Sequence, residues 1–422
     1  MALIIPIVCI SLVGLHSSHW EQRAVCLVCS IAIMYLAVCF LPTSPRHIVI
    51  CLHLVMTGLL HHFRLLQIYF FQWQQWRPKS SQQTSGSSNR LSIWSASFKA
   101  LMDFRSISTQ QQRQQYKQKD NKDPSTKPPL APQDLQQHRQ TFLLNQFITV
   151  ITIYTLSRAL RHYLFTITTP SSLTPNLFDL LPIKTTLIRR LRPFSLPSTA
   201  SNLDPLAPKI KIKPRELLFR LALLLTHQWT TWSVLTLSHS ALALLFVGLN
   251  VDQPQEWPPL FGNPAAHAYT LRGYWSRFWH RLTYPTYTGY AQLLADNILR
   301  LRRGSIVYGL WMAVFVFAVS GMTHTASLVL VGFRCGYWED LGWYLMNLGG
   351  IIVEDVVVWG AGAVVSAAGL EGRFRGKKVR WAGKMFGFFW VFGFQFWSLP
   401  KMAYPKAFCL PKEAYTGMTR GG

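Results

Sequence analysis

Apolar runs alternate with polar, basic stretches along the whole chain. A helix needs roughly 20 mostly apolar residues to cross the hydrocarbon core of a bilayer. Runs of about that length or longer extend from Val25 to Leu41, Ile48 to Phe71, Ser305 to Phe333 and Leu341 to Leu370. The third contains no charged residue, and the fourth carries only Glu354 and Asp355. The run from Ile48 is interrupted by His53, His61, His62 and Arg64, so its far half is expected to face protein or an interface. Phe142 to Phe165 is a weaker candidate, with Arg158, Arg161 and His162 near its end. Leu217 to Leu249 is too long for one ordinary span and fits either a tilted helix or two short ones. Met385 to Leu399 makes a short aromatic span. Met1 to Leu15 is apolar but short, without a basic flank or a small-residue cleavage site, and so a poor signal peptide. The pattern predicts an all-α, polytopic transmembrane helical bundle with seven to nine membrane segments.

Composition agrees. Half of the 422 residues are hydrophobic and only 14% are charged, against roughly 25% in soluble domains. Disorder over most of the length is thereby excluded, and so is an ordinary soluble domain. The balance of 42 Lys+Arg against 17 Asp+Glu gives +25, a value also found among nucleic-acid binders. Nucleic-acid binders are not built from long apolar blocks, however, and no nucleic-acid partner is expected. The cations instead sit in loops. Arg300–Arg303 and Arg373–Lys384 flank the two cleanest spans, while the connector Arg334–Asp340 holds two acids and one base. The positive-inside rule puts the two basic stretches in the cytosol. The loops Gln72–Gln140 and Pro170–Arg215 are basic as well, which conflicts with a single crossing at Phe142–Phe165.

The stretch from 72 to 140 is rich in Gln, Ser and Lys and cannot bury enough apolar surface to order itself, apart from an amphipathic patch at Ile93, Trp94, Phe98 and Leu101. The expected organisation is N-terminal membrane helices over 1–71, this mostly disordered loop over 72–140, a weak membrane segment and basic loop over 141–216, a core over 217–405 and a tail over 406–422. No internal repeat is visible, which weakens an inverted-repeat transporter. Cys26 and Cys29 form a CxxC inside a Val, Leu and Ile run with no second pair, so they read as apolar filler rather than zinc ligands.

Three clusters have residue types suited to chemistry. His324 lies deep in the Ser305–Phe333 run, with Ser320 at i−4 and Ser327 at i+3 on its face. A neutral imidazole there can take a proton from a hydroxyl, or simply bond a neighbouring carbonyl. Glu354 and Asp355 share a helix with Asn347 and Gly350; two mid-span acids must face a cavity, pair with a cation or be protonated. The segment Tyr269–Arg281 carries Trp275 and Trp279, and Arg277 and Arg281, each pair at i, i+4. That spacing suits a helix on the membrane surface, or a site for a phosphate-bearing cofactor with His280 at the mouth.

Taken together these motifs resemble a known family. Trp257-Pro-Pro-Leu-Phe-Gly262, Tyr269-Thr-Leu-Arg272, Phe278-Trp279-His280, Val319-Ser-Gly-Met-Thr-His324 and Ile351-Ile-Val-Glu354-Asp355 are similar, in order and spacing, to the fungal wax synthase-like branch of the membrane-bound O-acyltransferase superfamily. The likeness covers roughly Leu217 to Pro405. One departure is Tyr274-Trp275-Ser276-Arg277, where family members often have Phe-Trp-Gly-Arg. The resemblance implies acyl transfer from acyl-CoA, acetyl-CoA favoured, to a lipophilic alcohol such as a terpenoid or meroterpenoid. Long-chain wax-ester synthesis and a transporter with His324 and Glu354 along its path stand as alternatives. It also implies His324 as catalytic base, His280 as second catalytic member, and Arg277, Arg281 and Trp279 toward the cofactor. Ser320, Glu354 and Asp355 fall toward the alcohol. No metal, no covalent acyl-enzyme and no obligate protein partner are expected, and the expected location is the endoplasmic reticulum membrane, among its lipids.

Overall fold

The computed structural model describes residues 4–17, 19–40, 48–71, 132–166, 212–280, 282–333, 335–370, 372 and 376–407. Most of the expected low-complexity loop, with its amphipathic patch, lies outside them, as do Arg281 and most of the basic stretch after Pro170. Every regular element among the described residues is helical. In chain order they are α1 (Ile4–His16), α2 (Trp20–Cys39), α3 (Ile48–Leu66), α4 (Pro132–Thr166), α5 (Pro214–Gly248), the short α6 (Pro264–His267) and α7 (Leu271–Gly273), α8 (Tyr284–Asn297), α9 (Ile306–Leu330), α10 (Trp338–Ala367) and α11 (Lys377–Ala407). Wider π turns follow α3 at Gln67–Phe71 and α7 at Tyr274–Phe278.

Five of the described helices are long and apolar enough to cross a membrane: α2, α4 over Gln136–Leu160, α5, α9 and α10. The all-α expectation holds, and these five are counted among the described residues alone. The Leu217–Leu249 run is one continuous helix of 35 residues rather than two short ones. At the rise of about 1.5 Å per residue such a helix is longer than the hydrocarbon core is thick, so tilt or protrusion is built into it.

The chain divides into two compact units. The first comprises Met1–Gln146, Leu242–Pro258 and Arg281–Gly332. In it α1 and α2 form an antiparallel hairpin, α3 packs on α2, and α8 and α9 form a second hairpin with α9 against α3. Leu15, Leu65, Ile68 and Tyr69 make its buried cluster. The Tyr69 hydroxyl donates to the Ser11 carbonyl at 2.6 Å and closes over Gly14, where a Cβ would fall 2.3 Å from the Tyr69 oxygen. The polar residues of α3 do face protein. His61 pairs with Ser11 and His62 with Ser30, each at 3.1 Å, and Arg64 donates to Gln67 at 2.9 Å. Buried polar groups in an apolar helix survive only with such partners.

The second unit comprises Phe147–Ala241, Pro259–His280 and Phe333–Gly422. Helices α10 and α11 pack against each other, and Leu224, Trp343, Leu399 and Met402 form the buried cluster. Near the start of α10, Asp340 accepts from Lys406 at 2.7 Å. Both Pro400 and Pro405 sit inside α11, which spans 31 residues.

Candidate active site

The segment from Phe261 to His280 in the second unit is not a long surface helix. It is a chain of short elements pinned to α10 and α11. Its entry is held by Gly262, whose N–H donates to the Phe278 carbonyl at 2.9 Å. A Cβ at that position would lie 2.2 Å from the Arg277 carbonyl oxygen, so the glycine ending Trp-Pro-Pro-Leu-Phe-Gly is required by contact with backbone. Thr270 caps α7 by accepting from the Gly273 N–H at 2.8 Å.

Glu354 completes that cap from outside. Its carboxylate accepts from the Leu271 N–H at 2.7 Å, the Arg272 N–H at 3.3 Å and the Trp390 indole at 2.8 Å. The orphan N–H groups at the start of α7 therefore meet a carboxylate supplied by α10. Asp355 takes the Arg272 guanidinium with both oxygens. This hydrogen bond raises the Arg272 pKa further. Of the three fates open to the two acids, Asp355 takes the cation and Glu354 takes backbone donors. Both carboxylates are thereby engaged with the Tyr269–Gly273 segment. Close packing makes this possible, since a Cβ on Gly350 would fall 2.6 Å from Phe394 and 2.9 Å from Leu271.

Past α7 the π turn alters the i, i+4 reading of the tryptophans. Trp275 donates to Asn347 at 3.0 Å, and Trp279 is buried, stacked on Tyr274 at 5.4 Å and 21°. Neither presents itself as a free headgroup anchor. Tyr274 donates to Gln228 at 2.8 Å, and burial pushes its hydroxyl up, so it stays protonated. His280 ends the segment half-buried, its ring 6.0 Å from Phe261 and 5.6 Å from Trp279. Arg277 is exposed.

In the first unit, His324 is half-buried on α9, as is Ser320. The neighbouring Thr323, Thr325 and Ser327 are buried. Thr323 donates to the Val319 carbonyl at 2.7 Å, and Ser327 donates to the Thr323 carbonyl at 2.7 Å. The hydroxyl of Tyr287 on α8 lies 2.8 Å from that of Thr323. Burial pushes this tyrosine up to about 12, so it too is a neutral phenol. The two histidine candidates thus belong to different units, each with its own set of partners.

Sequence reasoning missed Arg272, Tyr287, Thr323 and Trp390. Arg272 had a signal, because two mid-span acids demand a cation and the Tyr-Thr-Leu-Arg motif supplies one. Tyr287 had none, since its role depends on a contact between helices. Among the described residues no group of three or more His, Cys, Asp or Glu is arranged to hold a metal.

Comparison with known proteins now applies to this geometry. Residues 257–345 match the membrane bound O-acyl transferase family. The match covers that stretch of a chain whose described helices include five long and apolar enough to cross a membrane, and the resemblance read from the motifs holds there. Three similar relatives are acetyltransferases by name. They are spyB of Aspergillus fumigatus, 33% identical over 29% of this chain, ataH of Aspergillus terreus, 32% identical over 39%, and fsoF of Humicola fuscoatra, 31% identical over 41%. The matched stretches span 20%, 51% and 41% of those relatives' own lengths. No solved structure matches the chain.

Proposed function

We propose that this protein is an acyl-CoA-dependent O-acyltransferase that moves an acetyl group from acetyl-CoA to a hydroxyl of a lipophilic alcohol, a terpenoid or meroterpenoid. The observation that carries the reading is the position of His324, half-buried in an apolar helix among buried hydroxyls, inside the segment that matches the family. The names of the relatives favour acetyl over a long acyl chain.

In this reading His324 removes the proton of the alcohol as its oxygen attacks the thioester carbonyl. The C–S bond breaks, the thiolate of CoA leaves, and the proton follows it. Burial limits water and so suppresses thioester hydrolysis. His280 is assigned the second role, orienting substrate or stabilising the oxyanion, on the resemblance alone. Exposed Arg277 and the Arg300–Arg303 stretch are the cations offered to the CoA phosphates, and Arg281 belongs with them by sequence. Trp279, stacked on Tyr274, is assigned to the cofactor on the resemblance alone. Ser320 remains the residue offered to the alcohol, whereas Glu354 and Asp355 act at one remove by fixing the 269–273 segment. The proposed setting is the endoplasmic reticulum membrane.

A transporter with Glu354 along its path is disfavoured by the three donors its carboxylate already accepts. The test is to incubate membranes containing the protein with labelled acetyl-CoA or a long-chain acyl-CoA and a lipophilic alcohol extract. Acetyl ester formation that disappears in His324→Ala, with expression and insertion unchanged, is the expected result. Retained activity in that variant overturns the base assignment, and solute flux without acyl-CoA consumption overturns the whole reading.

A further inference from the structure

Two side-chain hydrogen bonds within α9 involve Thr323, the residue before His324. The carbonyl oxygen of Thr323 accepts from Ser327, and the side chain of Thr323 donates its hydroxyl hydrogen to the Val319 carbonyl. A threonine hydroxyl has one hydrogen. With that hydrogen committed, the Thr323 oxygen can only accept from Tyr287, so the Tyr287 phenol is the donor across the 2.8 Å contact.

Tyr287 reaches Thr323 from a fixed origin. It is fully buried, and its ring meets Phe63 of α3 edge-on at 6.0 Å. Phe63 also meets Tyr290 at 6.3 Å, and the Tyr290 hydroxyl donates to the Phe63 carbonyl at 2.7 Å. On the other side, Trp311 of α9 donates to the Ala291 carbonyl of α8 at 3.0 Å. Helix α8 is therefore anchored to α3 and α9 within one turn of Tyr287. Its phenol supplies a directional contact from α8 to Thr323, the residue before His324 on α9.

We propose that Tyr287 is a positioning residue for His324, acting through Thr323 to fix the rotation of α9 about its axis at the histidine. This rests on the acyltransferase reading. General-base catalysis demands that the imidazole nitrogen sit within hydrogen-bond reach of the alcohol, and small misplacements of a catalytic group lower the rate steeply. In this reading the contact acts on the histidine through Thr323, so its loss is expected to fall on turnover.

The experiment compares Tyr287→Phe, Thr323→Val, the double variant and Thr323→Ser in membranes with labelled acetyl-CoA and an accepted alcohol. Tyr287→Phe and Thr323→Val are each expected to lower kcat about 10-fold with KM for both substrates within about 2-fold, as for an interaction expressed only in the transition state. The double variant is expected to be no worse than the poorer single one, because both remove the same contact. Thr323→Ser keeps the hydroxyl and is expected to retain kcat within about 2-fold. Melting in detergent is followed in parallel; if Tyr287→Phe fails to fold, the contrast between Thr323→Val and Thr323→Ser decides. An unchanged kcat in Tyr287→Phe, equal losses in Thr323→Val and Thr323→Ser, or multiplying losses in the double variant would overturn the assignment. Wild-type protein that transfers no acyl group to any alcohol sinks the acyltransferase reading itself, a distinguishable failure.

Discussion

Glu354 shows what a single carboxylate can do when it is placed opposite backbone donors. Three N–H groups converge on it, two from the start of α7 and one from Trp390. Removing it leaves the buried Leu271 N–H and two part-buried donors unpaired, and a buried unpaired donor costs about 1–3 kcal/mol. Glu354→Ala is therefore expected to destabilise the second unit by at least about 2 kcal/mol, read as a lower melting temperature in detergent. Asp355→Asn should behave differently. Asp355 pairs with the Arg272 guanidinium and caps no backbone donor, so its loss is expected to cost less than that of Glu354. A variant pair in which Asp355→Asn proves the more damaging would mean that the guanidinium, not the backbone cap, holds α7. Gly262 belongs at this scale too. With Arg277 backbone 2.2 Å from where a Cβ would stand, Gly262→Ala must displace main chain and is expected to lose about 1–3 kcal/mol.

Between elements, the turn from α8 to α9 carries a pH signature. Arg303 bonds Asp296 and holds its carboxyl below the usual carboxylate range. A depressed acid contributes stability above its unfolded pKa, about 3.9, and loses it as pH falls through the lower folded value. Asp296→Asn should therefore shift the melting temperature slightly near pH 7 and converge with wild type in strong acid; a difference that persists below about pH 2 would assign the effect to something other than this carboxylate. Legibility differed sharply among elements. The spans α2, α9 and α10 were readable because hydrophobicity over 20 to 30 residues needs no tertiary context. The buried face of α3 was readable too, since His61, His62 and Arg64 cannot face lipid unpartnered. The segment after α7 was misleading. Spacing of four put Trp275 and Trp279 on one helical face, but the π turn resets that register, and local composition does not announce a π turn. Motif order identified the segment, while what holds it came only from the approach of α10 and α11.

At the level of the whole chain, the +25 charge and the apolar half are reconciled by segregation. Most of the low-complexity stretch supplies no apolar periodicity, whereas every residue assigned a chemical role lies between Arg277 and Asp355. An enzyme needs only the residues that bind, orient and move a proton, together with the helices that hold them. A scaffold that recruits partners would instead depend on the polar stretch. These two kinds of protein make opposite demands on the same segment. Deleting Gln82–Lys127 is expected to leave kcat and KM for acetyl transfer within about 2-fold of wild type, measured in membranes matched for protein content. Loss of acetyl transfer on deletion, with insertion and melting unchanged, would instead give the loop a direct part in the reaction.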